Sequence, residues 1–146
     1  MTPRPFHVLH LRSTGGFLGA ENVIVELCRH SSPSDVRHTI GIIVDAGDPE
    51  PELAAVASSH AIPVVRFNCR SRLDFTAVAA IRQLVADARI DIIHTHGYRE
   101  DLYALLALTD AKKVATNHLW KKTTRPLRVY AKADGYILRF FDAVVG

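Results

Sequence analysis

Phe6-His-Val-Leu-His-Leu11, Ser13-Thr-Gly-Gly-Phe-Leu-Gly19 and Ala20-Glu-Asn-Val-Ile-Val-Glu-Leu-Cys-Arg-His30 follow one another near the start of the chain, and their reading decides the fold. The first piece is a short β-type run. The second is a turn rich in glycine, the residue that allows unusual backbone angles and close approach. The third carries Val23, Ile24, Leu27 and Cys28 at i, i+1, i+4 and i+5, the spacing of one face of a helix. Strand, glycine turn and helix therefore succeed one another without a linker.

The same alternation continues. His38–Val44 reads as a second strand, Asp45–Pro49 as a turn, and Pro51 as the first residue of a helix running to Ser59. Ile62–Phe67 is a third strand. Asp74 caps a helix from Phe75 to Arg89, with Val78, Ile81, Leu84, Val85 and Ala88 on one face. Asp91–Thr95 is a fourth strand, Arg99–Leu108 a helix and Lys113–Asn117 a fifth strand. A helix is expected from Pro126 to Phe140, and Ala143–Gly146 is a sixth strand. Strands alternating with helices form a parallel sheet covered on both faces. Ile42-Ile43-Val44 and Val64-Val65 are apolar on successive residues, as strands buried on both sides must be. The expectation is an α/β protein: a single Rossmann-like domain over residues 1–146, an open parallel sheet of about six strands with helices on both faces. The closing strand leaves an apolar edge, so a domain boundary is expected there.

The 146 residues are 48% hydrophobic and 23% charged, a globular composition that excludes bulk disorder. Apolar runs fall short of the ~20 residues a membrane helix needs. Phe6–Leu11 is too short and His-rich for a signal-peptide core. The two cysteines, Cys28 and Cys69, show neither metal-ligand spacing nor a disulfide framework, so a cytoplasmic, reducing compartment is expected. The net charge of +3 is too mild to imply nucleic acid. From Lys112 to Arg139 there are eight basic residues and one acid, Asp134, so this segment is +7 and the rest of the chain −4. Such a face can bind an anionic substrate, rest on an anionic membrane or simply be solvated.

Ligands of open parallel sheets bind beyond the carboxyl ends of the strands. Gly15, Gly16 and Gly19 stand there and can cradle a phosphate at a helix N-terminus, although Thr14 occupies the first glycine position of the dinucleotide fingerprint. The alternative is a tight turn with no ligand. His94 and His96 share one face of their strand. With His118 they supply imidazoles for zinc, but no carboxylate or cysteine completes the set at a ligand spacing. His94 reads as a hydrogen-bonded core residue. His96 and His118 stand past strand ends, where an imidazole binds hydroxyls, shuttles a proton or caps local backbone. Arg99 opens its helix against the dipole, which suits a ligand role or a solvated charge equally.

Four segments together resemble the N-terminal domain of a family 4 glycosyltransferase of the GT-B architecture. They are Gly15-Gly16-x-x-Gly19-Ala20-Glu21, Asp91-Ile-Ile-His-Thr-His-Gly97, Val114-Ala-Thr-Asn-His118 and Phe141-Asp-Ala-Val-Val-Gly146. The resemblance implies retaining transfer of a sugar from a nucleotide diphosphate sugar to a glycan or lipid-linked acceptor, with no metal expected and no cofactor beyond the donor substrate. It implies that Gly15, Gly16 and Gly19 meet the donor diphosphate and that His118 is the catalytic group. Acceptor contacts are expected from His96, Tyr98, Arg99, Asn117 and Lys121. The implied partner is a C-terminal nucleotide-sugar domain of the same enzyme, whose Glu-x7-Glu motif does not occur here, so the chain alone is expected to be inactive. Lys121, Lys122, Arg125 and Arg128 could meet anionic lipid at the inner face of a membrane. Two other readings stay open: a free-standing nucleotide-binding module, with Asp45 on a ribose, and a metal hydrolase using His94, His96 and His118.

Overall fold

The computed structural model describes residues 3–13, 16–116 and 136–146. Six parallel strands form one sheet in the order β3-β2-β1-β4-β5-β6. They are β1 (Phe6–Arg12), β2 (Val36–Asp45), β3 (Val64–Cys69), β4 (Ile92–Thr95), β5 (Lys112–Thr116) and β6 (Ala143–Val145). Among the described residues four α-helices connect β1 to β5: α1 (Gly19–His30), α2 (Glu52–Ser59), α3 (Phe75–Asp87) and α4 (Tyr98–Leu106). The sheet is open and Rossmann-like, and its order reverses between β1 and β4, the kind of position at which ligands of open α/β sheets bind. Of the expected helix from Pro126 only the end is described, helical at 136–137 and followed by a 3-10 turn at Leu138–Phe140; the rest lies outside the described residues. Among the described residues no helix is long and apolar enough to cross a membrane.

The apolar runs of the central strands are buried on both sides, because helices pack on both faces. Leu9, Leu11, Ile43, Phe67 and Ile93 face α3 and α4, meeting Ala77, Val78, Ile81, Val85, Tyr103 and Ala104. Ile40 and Ile42 face α1 and α2, meeting Ile24, Val25, Leu53, Ala54 and Ala57. Each large aliphatic buried this way contributes roughly 1.5–3 kcal/mol. Gly41 is required by close approach: a Cβ there would lie 2.7 Å from Phe67 Cε2 and 2.9 Å from Leu11 Cδ2.

Asp74 caps α3 as its sequence suggests, accepting from Thr76 N at 2.8 Å and Ala77 N at 3.4 Å, and from Arg70 N at 2.8 Å. Pro51 is the residue before α2 rather than its first. The ends of α3 and α4 fall short of the expected Arg89 and Leu108. Ala61, Arg89 and Leu108, which follow α2, α3 and α4, are left-handed at φ 56°, 52° and 50°. Ile62 N bonds Ala57 O and Ala61 N bonds Ser58 O, both at 3.0 Å, and Ile90 N bonds Val85 O at 3.0 Å. This is the Schellman stop, usually marked by glycine.

Candidate functional site

The carboxyl ends of β1, β2 and β4 carry the described part of the crest. β1 ends in Arg12, whose Nε donates to Glu21 Oε1 at 2.7 Å and whose Nη1 donates to His96 O. Glu21 Oε2 accepts from Leu18 N at 2.9 Å, so this carboxylate caps its own helix. Glu100, in the first turn of α4, accepts from Ser13 N. Gly97 makes this packing possible: a Cβ there would lie 2.6 Å from Glu100 Oε2 and 3.2 Å from Arg12 Nη1. One guanidinium thus serves two buried acids, Glu21 and Glu100, each 1% exposed. Burial pushes Glu21 up, but the bonds from Arg12 and Leu18 N bring it below the ordinary glutamate value. Burial dominates at Glu100, which is raised although Arg12 and Ser13 oppose the shift.

Above this network the chain bends through Gly16 and enters α1 at Gly19. A Cβ at either glycine would find nothing within 4 Å. Packing among the described residues therefore does not demand glycine at these two positions. The positive end of α1 lies beneath. Gly15 lies outside the described residues.

Tyr98 and Arg99 open α4. Arg99 forms a two-pronged ion pair with Asp45 at the end of β2, Nη1 to Oδ2 at 3.0 Å and Nη2 to Oδ1 at 2.6 Å. Nη2 also reaches Ser71 O at 3.3 Å, and the guanidinium lies 5.5 Å from the centre of the Tyr103 ring. The Arg99 side chain is 9% exposed and that of Asp45 39%. Hydrogen bonds from Arg99 hold Asp45 below the usual carboxylate range. Tyr103 Oη in turn donates to Arg72 O and accepts from Asp74 N, both at 2.9 Å. Arg99 and Tyr103 together brace the loop from residue 70 to 74.

His96 follows β4, but its side chain is not open to the crest: the residue is 1% exposed. Its Nε2 lies 3.1 Å from His10 Nδ1, and His10 Nε2 lies 2.9 Å from His38 Nδ1. His94 pairs in register with His10 and bonds Thr116 Oγ1 through Nε2 at 2.6 Å, so it is hydrogen-bonded as expected, though half-buried rather than in the core. Four imidazoles from β1, β2 and the β4 strand end are thus clustered on the α1 side of the sheet, His10 stacked on His38 and the other pairs tilted. Burial first, then His94 and His38, hold His10 well below its ordinary value, so the ring is neutral. Asn117, His118 and Lys121 lie outside the described residues.

The structure brings Gly16, Gly19, His96, Tyr98 and Arg99 to one end of the sheet. Sequence reading did not single out Arg12 as a site residue. Its signal is a cation ending the strand just before the glycines.

A parallel α/β sheet with a glycine bend at its topological switch point is a ligand-binding architecture. The chain belongs to glycosyltransferase family 4, whose family model matches residues 18–146. It corresponds to the N-terminal half of the GT-B architecture. Among solved structures, Anabaena Alr3699/HepE in complex with UDP is 17% identical at a TM-score of 0.77, over 95% of this chain and 37% of that one. A glycosyltransferase from Rickettsia africae is 18% identical at a TM-score of 0.64, over 97% of this chain and 36% of that one. A putative UDP-N-acetylglucosamine 2-epimerase from Listeria monocytogenes is 14% identical at a TM-score of 0.63, over 97% and 39%. At these identities the likeness is one of fold, and that fold carries more than one chemistry. The chain spans well under half the length of each. No curated protein sequence matches it.

Proposed function

We propose that this chain is the acceptor-side domain of a retaining glycosyltransferase, moving a sugar from a nucleotide diphosphate sugar to a glycan or lipid-linked acceptor. The observation that carries the reading is the glycine bend over the N-terminus of α1, in a chain of family 4. Departure of the nucleotide diphosphate builds negative charge. Backbone amides of a glycine bend, with a helix dipole behind them, suit that charge without reorganising. Gly15, Gly16 and Gly19 are the proposed donor contacts.

His118 is the proposed catalytic group, beside the transferring sugar. Asn117, Lys121, Tyr98 and Arg99 would line the acceptor side, Arg99 acting through its hold on Asp45 and the loop after β3. His96, with its ring buried, would support the crest from beneath through His10. The remaining donor contacts would come from a C-terminal domain of the same enzyme. Reacting groups divided between two domains gain from positioning only when both are present. The chain alone would therefore not turn over a donor. A basic face around Lys121, Lys122, Arg125 and Arg128 would suit a lipid-linked acceptor at an anionic membrane.

The rival reading, a free-standing dinucleotide module, needs Asp45 for a ribose. Both carboxylate oxygens of Asp45 are taken by Arg99, which disfavours it. Calorimetric titration of the chain with NAD and with UDP-glucose separates the two. Neither ligand is expected to bind tightly to the chain alone, and micromolar NAD binding would overturn the transferase reading.

A further inference from the structure

Cys28 on α1, His10 on β1 and His38 on β2 form a cluster in which Cys28 and His38 have no role in the reading above and His10 enters it only as the support of His96. One donor atom from each lies within 4.8 Å of the other two. We propose that these three residues bind one zinc-class divalent ion through a thiolate and two imidazoles, tying α1 to β1 and β2.

The donor set carries the choice of ion. One sulfur and two nitrogens match the borderline-soft preference of Zn(II), with Zn–S near 2.3 Å and Zn–N near 2.0–2.1 Å in general. Three protein ligands leave a fourth position for water. Cys28 and His38 are only partly buried, which leaves a route for entry, whereas His10 closes the inner side. His10 also has the outer-shell partner typical of a ligating histidine. Its Nδ1 is held 3.1 Å from His96 Nε2, which fixes the ring while Nε2 faces His38. His38 Nε2 is buried and has no hydrogen-bond partner among the described residues, so the ring is incompletely satisfied as it stands.

His10, His94 and His96 form a second group within the same distance, but it is less suited. His94 Nε2 is committed to Thr116 Oγ1 at 2.6 Å and His96 Nε2 to His10 Nδ1 at 3.1 Å. Since both groups share His10, the structure offers one ion rather than two.

Binding exchanges the thiol proton for the metal: Cys28 S–H breaks, Cys28 S–Zn forms and one proton enters solvent. Helix α1, whose N-terminus carries the glycine bend, would then be pinned to the sheet near its other end.

Co(II) alone serves as a spectroscopic probe for the chain. One equivalent is expected to give a near-ultraviolet thiolate-to-cobalt charge-transfer band, displaced by Zn(II), and Zn(II) is expected to raise the unfolding temperature. Cys28→Ala and His38→Gln, both at partly exposed positions, are expected to lose the band and the thermal shift. A second measurement needs no variant: Zn(II) should slow alkylation of Cys28 at least tenfold in the unmodified chain. Absence of the band, its persistence in Cys28→Ala, or alkylation of Cys28 unaffected by Zn(II) would overturn the proposal. None of these readouts involves a nucleotide sugar, so their failure leaves the transferase reading untouched.

Discussion

Arg12 and Glu21 form an ion pair, 2.7 Å from Nε to Oε1, that joins the last residue of β1 to the first turn of α1 across the glycine bend. The Glu21 side chain is 1% exposed and that of Arg12 21%. The pair is local in sequence but enclosed in the fold, and it fixes the angle at which α1 leaves the sheet. Removing Arg12 would leave the Glu21 carboxylate buried beside Glu100 with no cation. Breaking a buried pair costs roughly 3–5 kcal/mol, and partial screening at Arg12 places Arg12→Met at about 3 kcal/mol. Urea unfolding measures this. The double change Arg12→Met with Glu21→Leu should recover most of the loss, because no unpaired charge is then buried. A single-variant cost below about 1 kcal/mol would mean that the pair does not brace the bend.

Glu100 gives the pH prediction. Burial raises its pKa in the folded protein, so the folded state holds the proton more tightly than the unfolded chain does. Its contribution to stability is fully present below the unfolded glutamate value of about 4.3 and is lost as pH rises through the folded value. Glu100→Gln keeps an oxygen for Ser13 N and removes the ionisation. The stability of the variant relative to the parent should therefore increase as pH rises above about 4. A difference that stays flat with pH in urea titrations would show that Glu100 ionises in the fold as it does in water.

Much of the architecture was legible because its causes are local. The alternation of Phe6–Leu11, the glycine turn and the amphipathic α1 needs only neighbours in sequence to be read, and parallel pairing follows from the helical crossovers. The ends of α3 and α4 were not legible. Arg89 and Leu108 hold a left-handed stop that sequence rules assign to glycine. The histidine cluster was half legible. Spacing placed His94 and His96 on one face, but His10 and His38 join them through strand register, which depends on tertiary pairing. For the same reason Asp45 looked available to a ribose, since nothing local announces Arg99, 54 positions away.

Arg89 follows from that misreading. A non-glycine residue in the left-handed region costs roughly 1–2 kcal/mol in backbone strain. Arg89→Gly relieves that strain but adds freedom to the unfolded chain, so a net gain of about 0.5–1 kcal/mol is expected. Ala61→Gly should act in the same direction. Chemical denaturation would show a higher midpoint at unchanged slope. A loss of stability in both variants would mean that side-chain contacts at these positions outweigh the backbone term.

Gly16 separates function from folding. A Cβ there meets nothing within 4 Å among the described residues, so Gly16→Val is expected to move the unfolding temperature by only a few degrees. If the bend receives the diphosphate, the valine methyl groups occupy the ligand's position and displace the leaving group from the amides. Misplacement of that kind costs on the order of a hundredfold in turnover. The assay belongs in a polypeptide that carries this chain and has transferase activity, with kcat/KM for the nucleotide sugar measured beside thermal unfolding. A large fall in kcat/KM at nearly constant unfolding temperature is the expected pair of results. Unchanged turnover in a normally folded variant would remove the glycine bend from the donor site, and with it the physical basis for placing this half of the fold against a diphosphate.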